Sequence, residues 1–181
     1  MSEYIQQNQT VMSFDGDESW VILSPIELSI KRKIESIGVP LKDWNISINY
    51  GIKTGFNEAF IISGEKKDEL ISQDPKSAEI IRPILRGRDV KRYGYTFSDL
   101  WLIASHNGIK GKQIPRVDIN EYPAIKAHLD KYYEKLKNRA DKGDTPYNLR
   151  NCVYMDDLNK QKIMRGEVYD TPKFALDLNG E

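Results

Sequence analysis

The chain has one cysteine, Cys152, in 181 residues. This excludes a disulfide framework and a cysteine-based zinc site, and points to a reducing, cytoplasmic setting. Histidine is almost as scarce, with only His106 and His128. Cys152 has no local base, so no nucleophile–base pair can be assembled around it. No apolar run approaches the length of a membrane span, and no secretory signal is read at the start, so no membrane partner is expected. Net charge is missing too: 27 Lys and Arg balance 27 Asp and Glu, which argues against a generic coat for nucleic acid. There is no Walker A loop, no dinucleotide fingerprint and no metal-ligand cluster. An Asn-Pro-Pro-Tyr loop and an acid-x-Lys core are absent as well.

What is present is a soluble, charged and aromatic composition of a length that fits one domain, or one domain with a short appendage. Residues 1–19 are polar, with Gln6, Gln7, Asn8 and Gln9 in a row, and read as a lead-in. Trp20-Val21-Ile22-Leu23 predicts a short strand. Ser24, Pro25 and Glu27 form a helix-start signature with a capping box. Ile26, Ile30, Ile34 and Ile37 then mark one face of a packing helix that ends at Gly38 and Pro40. Alternation of Ile46, Ile48 and Tyr50 predicts a half-buried strand. With the run from Ala59 to Ile62 it predicts a hairpin or tight crossing around Gly51 and Gly55. Helices are expected over 65–72 and from Asp74-Pro75 onward, and a buried strand over 100–104. Asn120 is read as the cap of one long helix over 121–140, with Lys135, Lys137 and Arg139 complementing its C-terminal dipole. A capped turn over 145–150 and closing strands at 162–164 and 174–176 complete a mixed α/β reading. Asp156-Asp157 is read as a turn or cap, and His128 as a packing or solvent-facing residue.

Charge is unevenly spread on this neutral background. From residue 82 to 116 the cations are Arg82, Arg86, Arg88, Lys91, Arg92, Lys110, Lys112 and Arg116, against the acids Asp89 and Asp99. Such a stripe is an electrostatic footprint that needs no high pI. Gly87, Gly94 and Pro83 make 82–95 rich in turns, and Tyr93 and Tyr95 set flat rings beside the cations. Guanidinium groups on that frame suit phosphate oxygens or the O6/N7 edge of guanine. Ile84, Leu85 and Val90 are expected to point inward, leaving the cations outside. The same residues also fit a solvated basic turn whose charges are absorbed by Asp89 and Glu79. Asn57, His106, Asn107, Gln113 and Asn148 sit on Gly-containing loops between strands and could bond to base edges, and Lys53 and Thr54 share the loop tip with Asn57. A different reading takes Tyr132, Tyr133, Tyr147 and Tyr154 as anchors of a protein–protein interface. RNA or single-strand binding ranks behind both, since no RNP-type aromatic motif is visible.

Five segments, in order, carry a resemblance. They are YGIKTGFNEAFII at 50–62, ILRGRDVKRY at 84–93, YPAIKAHL at 122–129 and DKGDTPYNLR at 141–150, followed by Lys162-Ile163 with Pro172-Lys173-Phe174. Together they resemble the TaqI-like C-terminal specificity domain. This is the target-recognition domain of adenine-specific DNA methyltransferases and of fused type IIG restriction–modification enzymes. The resemblance spans roughly 41–177. It implies an α/β fold, mixed α+β, with twisted, partly irregular β-sheets, one long helix and several short ones, similar to the recognition domains of type I specificity subunits. It implies a DNA reader over 20–181, truncated at its C-terminus, cut from a larger enzyme whose catalysis and S-adenosylmethionine lie in an absent upstream methyltransferase domain of the same polypeptide. The parent would be an adenine-specific methyltransferase with or without endonuclease activity; no cofactor is expected in this fragment. Double-stranded DNA is the implied partner. The residues put forward for it are Lys53, Thr54, Asn57, Arg86, Arg88, Lys91, Arg92, His106, Asn107, Lys110 and Lys112.

Overall fold

The computed structural model describes residues 3, 22–166 and 171–178, with the side chain of Lys110 left out. The expected lead-in over 1–19, Trp20 and Val21 of the first strand, and the last three residues lie outside the described residues, Glu3 excepted. The chain divides into two compact units, Met1–Ile48 and Asn49–Glu181. The first contains helix α1, Pro25–Ile37, and its start follows the sequence signature. The Ser24 hydroxyl accepts from the Glu27 N–H at 3.3 Å and the Glu27 carboxylate accepts from the Ser24 N–H at 2.7 Å. The packing role is not observed: none of the residues of α1 is buried, and Ile26, Ile30, Ile34 and Ile37 are all exposed. Ile22 and Leu23 form no strand.

The second unit contains the core. Irregular chain over 49–56 leads into a short helix α2, Asn57–Phe60, and strand β1, Ile61–Ser63. Helix α3, Gly64–Gln73, and a 3-10 turn, Pro75–Ile80, lead to β2, Ile81–Pro83. Ser63 and Asp74 cap these two helices, each side chain accepting from a backbone N–H at 3.2 Å. Another 3-10 turn, Gly87–Asp89, precedes a small hairpin of β3, Val90–Lys91, and β4, Gly94–Tyr95. Strand β5, Leu100–Ile103, is the middle of an antiparallel sheet ordered β1-β5-β2, with Ile61 opposite Leu102 and Ile81 opposite Ile103. The last hairpin pairs β6, Lys162–Arg165, with β7, Phe174–Asp177. The fold is therefore mixed α/β with small antiparallel sheets and several helices.

Phe60, Leu70, Leu102, Ile103, Ile125, Leu129 and Leu136 are fully buried and form the core between the sheet and the helices. Three expectations need correction. The strand over 46–50 does not form: its partner run pairs with β5 instead, and Ile46, Ile48 and Tyr50 stay exposed. The expected 46–62 hairpin is thus absent. The long helix over 121–140 is two, α4 at Pro123–Asp130 and α5 at Tyr133–Asn138. Tyr132 leaves helical geometry at φ −111°, ψ 8°, and its ring lies against His128 and Phe56, with centroids 5.5 and 5.8 Å away. Tertiary packing of one aromatic overrides a continuous apolar stripe. Asn120 is not the cap of α4. It sits inside a 3-10 turn, Ile119–Glu121, capped by Asp118, and Pro123 opens the helix. Asp156-Asp157 lies in a one-turn helix α6, Met155–Leu158.

Candidate nucleic-acid interface

Strand β5 sorts the expected site residues into two groups. Its Leu100 end lies beside Ser63 and Ile84, and its Ile103 end beside Ile61 and Ile81. The basic turn over 84–99 leaves from the Leu100 end. The 53–57 loop, which enters β1, and the 104–117 loop, which leaves β5, share the other end. Leu100 to Ala104 is about 13 Å of strand at roughly 3.3 Å per residue. The sequence motifs therefore do not converge on one point; they occupy two ends of a small sheet.

At the basic end, Asp89 organises the turn. Its buried carboxylate accepts from the Arg86 backbone N–H at 2.9 Å, from Arg86 Nε and Nη2 at 3.0 Å, and from Ser98 Oγ at 2.9 Å. The Arg86 guanidinium holds the Asp89 carboxyl far below the usual carboxylate range, and the ion pair raises Arg86 in return. The two-pronged geometry is the one guanidinium favours. Arg86 is thus turned to its own chain. Arg82 is likewise engaged, donating to the carbonyls of Ala78, Glu79 and Ile81. Val90 is buried, and Ile84 and Leu85 are half-buried. That leaves Arg88, Lys91 and Arg92 exposed. Among the described residues no carboxylate forms an ion pair with any of the three. The Lys91 Nζ donates to the Arg88 carbonyl at 3.0 Å, and the Arg92 guanidinium lies 5.2 Å from the Tyr93 ring centroid.

The closing hairpin joins this end. The Tyr93 N–H donates to the Phe174 carbonyl at 2.8 Å, and Arg165 is the cross-strand partner of Phe174. Arg165 and Phe174 are both exposed. Sequence reasoning missed Arg165, because only the long-range register of β7 against the basic turn brings it there.

The polar end is more internally committed than expected. Thr54 is 3% exposed. Its hydroxyl donates to Asn57 Oδ1 at 2.5 Å and accepts from the Phe56 N–H at 3.2 Å, so it shapes the loop. Lys53 and Asn57 lie on the outside, lining with Gly55, Phe56 and Asp141 a shallow depression. Gly55 has φ +67°, and a Cβ there would lie 3.0 Å from Asp141. Asn107 is saturated: its amide donates to Asp144 at 3.0 Å and Asn151 at 2.6 Å and its oxygen accepts from the Asp144 N–H at 2.8 Å. His106 is half-buried, which lowers its pKa, and its Nδ1 accepts from the Gly108 N–H at 3.1 Å. Lys110 and Lys112 form a 3-10 turn inside the small loop closed by Ile109 and Ile114. Lys112 pairs with Asp156 at 2.5 Å on the surface and holds that carboxyl below its usual range.

Two residues hold this end together. Asn148, fully buried, donates to the carbonyls of Val117, His106 and Ser105 and accepts from Thr145 Oγ1. It was expected to face base edges; it closes the loops instead. Arg139, 7% exposed, donates to the carbonyls of Thr54, Asn148 and Pro146 and lies 4.4 Å from the Phe60 centroid. Burial pushes its pKa down to about 10. Arg139 was expected to complement the dipole at the C-terminus of one long helix. Its spacing after α5 gives no sign of the clamp, which needs carbonyls from distant loops. The tyrosines of the interface reading have partners in the chain: Tyr147 donates to Asp130 at 2.6 Å, and the Tyr133 and Tyr147 rings lie 5.7 Å apart.

Among the described residues, no group of three or more His, Cys, Asp or Glu could hold a metal, and no helix is long and apolar enough to cross a membrane. No family model matches the chain, and no curated protein matches it.

Proposed function

We propose that the chain is a sequence-specific double-stranded DNA recognition domain. It serves a methyltransferase domain of the same polypeptide that holds S-adenosylmethionine and modifies adenine. The resemblance over 41–177 gives this reading its class, including a fold akin to the recognition domains of type I specificity subunits. The observation that carries it is the group of Arg88, Lys91 and Arg92, exposed and without a carboxylate partner among the described residues, with Arg165 alongside. A surface charge with no carboxylate partner, on a turn fixed by the Arg86–Asp89 ion pair, is preset for an external anion. In this reading those cations position the duplex by its phosphates. Lys53 and Asn57, with His106, Lys110 and Lys112, approach from the other end of the sheet, where base edges are read. Arg86, Thr54 and Asn107 act by shaping those loops.

The test is selection of bound duplexes from a randomised pool by the chain and by a variant carrying Arg88→Ala and Arg92→Ala. A preferred sequence should emerge, and the variant should bind it and random duplex more weakly by the same factor. A preference that disappears in the variant would assign base reading to the basic turn. No retention of any duplex at low salt would refute the proposal.

A further inference from the structure

The turn joining β3 to β4 is Lys91-Arg92-Tyr93-Gly94, with Lys91 opposite Gly94. Tyr93, its third residue, has φ +68°. That position of such a turn calls for Gly or Asn, because the left-handed region crowds a side chain's Cβ. Gly94 follows directly and does not take the left-handed conformation; the tyrosine does. Strain of this kind persists where something compensates for it. Packing within the chain does not, since Tyr93 is 82% exposed. Its N–H is tied to Phe174, so the ring is held out on a fixed turn and does not hang from a loose loop. The Arg92 guanidinium lies over the ring at 5.2 Å, and Arg88 and Lys91, both exposed, belong to the same turn segment, where the Lys91 Nζ donates to the Arg88 carbonyl. A presented aromatic face among cations, with no acid paired to them, matches a ligand that is flat and anionic together.

We propose that Tyr93 is a stacking platform for an unstacked nucleotide of a DNA strand, its base on the tyrosine ring and its flanking phosphates on Arg88, Lys91 and Arg92. This rests on the DNA reading above and goes beyond it, since phosphate contacts alone need no ring. An intact duplex keeps its bases stacked on each other. The platform therefore favours DNA where a base is free: a gap, an end or an extruded nucleotide.

The test measures the full 181-residue chain and its Y93G and Y93F variants against three probes: an intact duplex, the same duplex with a one-nucleotide gap, and one of its strands alone. Glycine accepts φ +68° without crowding, so Y93G should melt no lower than the parent chain and isolates the ring from the fold. The parent should prefer the gapped duplex to the intact one. Y93G should lose roughly 5- to 150-fold on the gapped probe and the single strand, as expected for one stacked base, and less than about twofold on the intact duplex. Y93F should bind as the parent does. Equal binding of the gapped probe by Y93G and parent overturns the platform while leaving duplex recognition standing. An equal loss on all three probes overturns it as well. Failure of the parent to bind any probe overturns both.

Discussion

Replacing Asp89 by Ala removes the acceptor around which the basic turn is built. The Arg86 guanidinium and the Ser98 hydroxyl lose their carboxylate at 2.9–3.0 Å, together with the bond from the Arg86 N–H. Breaking a buried ion pair by deleting one partner costs ~3–5 kcal/mol. Arg86 keeps a third of its side chain in water, so solvent recovers part of that loss, and about 2–3 kcal/mol is expected. The pH dependence gives a second arm. The folded-state pKa of Asp89 is depressed, so its contribution is complete above the unfolded-state value of about 3.9 and fades as pH falls below it. At pH 3 the unfolded carboxyl is mostly protonated, and the contribution should be smaller by about 1.3 kcal/mol. Urea titrations of both proteins at pH 7 and pH 3 read this as a gap that narrows in acid; titrations shared by the two proteins cancel in the difference. A gap below about 0.5 kcal/mol at pH 7 would mean that the pair is merely a surface contact. A gap of unchanged size at pH 3 would mean that Asp89 acts by packing and not by charge.

Three further outcomes follow from the loop end of the sheet. Arg139→Lys should lower stability by ~1–3 kcal/mol in thermal unfolding, because an ammonium cannot reach the carbonyls of Thr54, Asn148 and Pro146 at once; amide exchange over 53–57 should speed up. Asn148→Ala removes the side-chain donor from the Val117 carbonyl and from those of His106 and Ser105, which keep the N–H groups of Val117 and Leu149, and ~1–3 kcal/mol should be lost in urea unfolding. Gly108→Ala would set a Cβ 2.6 Å from the Ile114 carbonyl oxygen at φ +76°, so a loss of ~1–3 kcal/mol is expected, again by unfolding.

Local signals were legible where they are self-contained. The Ser24–Glu27 capping box, the Asp74 cap, strand β5 and both closing strands all occur where the sequence places them. Alternation misled at Ile46, Ile48 and Tyr50, because a strand needs a partner and the run expected to supply it pairs with β5. The stripe over 121–140 misled because periodicity cannot register that Tyr132 packs sideways. In the candidate site, the inward Val90 and the outward Arg88, Lys91 and Arg92 could be read from residue type; the burial of Asp89 and its hold on Arg86 could not. The internal engagement of Thr54, Asn107 and Asn148 could not, since a polar loop residue looks the same whether it faces solvent or a distant carbonyl. Arg165 and Arg139 were missed for the same reason: each owes its place to contacts many residues away.

The salt dependence of duplex binding by this chain tests most directly whether the exposed cations around the basic turn are set for DNA phosphates. Each phosphate contact contributes about −0.9 to the slope of log K against log salt, so Arg88, Lys91, Arg92 and Arg165 together predict a slope of about −3.6 on random duplex. Arg88→Ala with Arg92→Ala should flatten it by about two units. A slope near zero, or one that the double substitution leaves unchanged in a folded protein, would contradict the account.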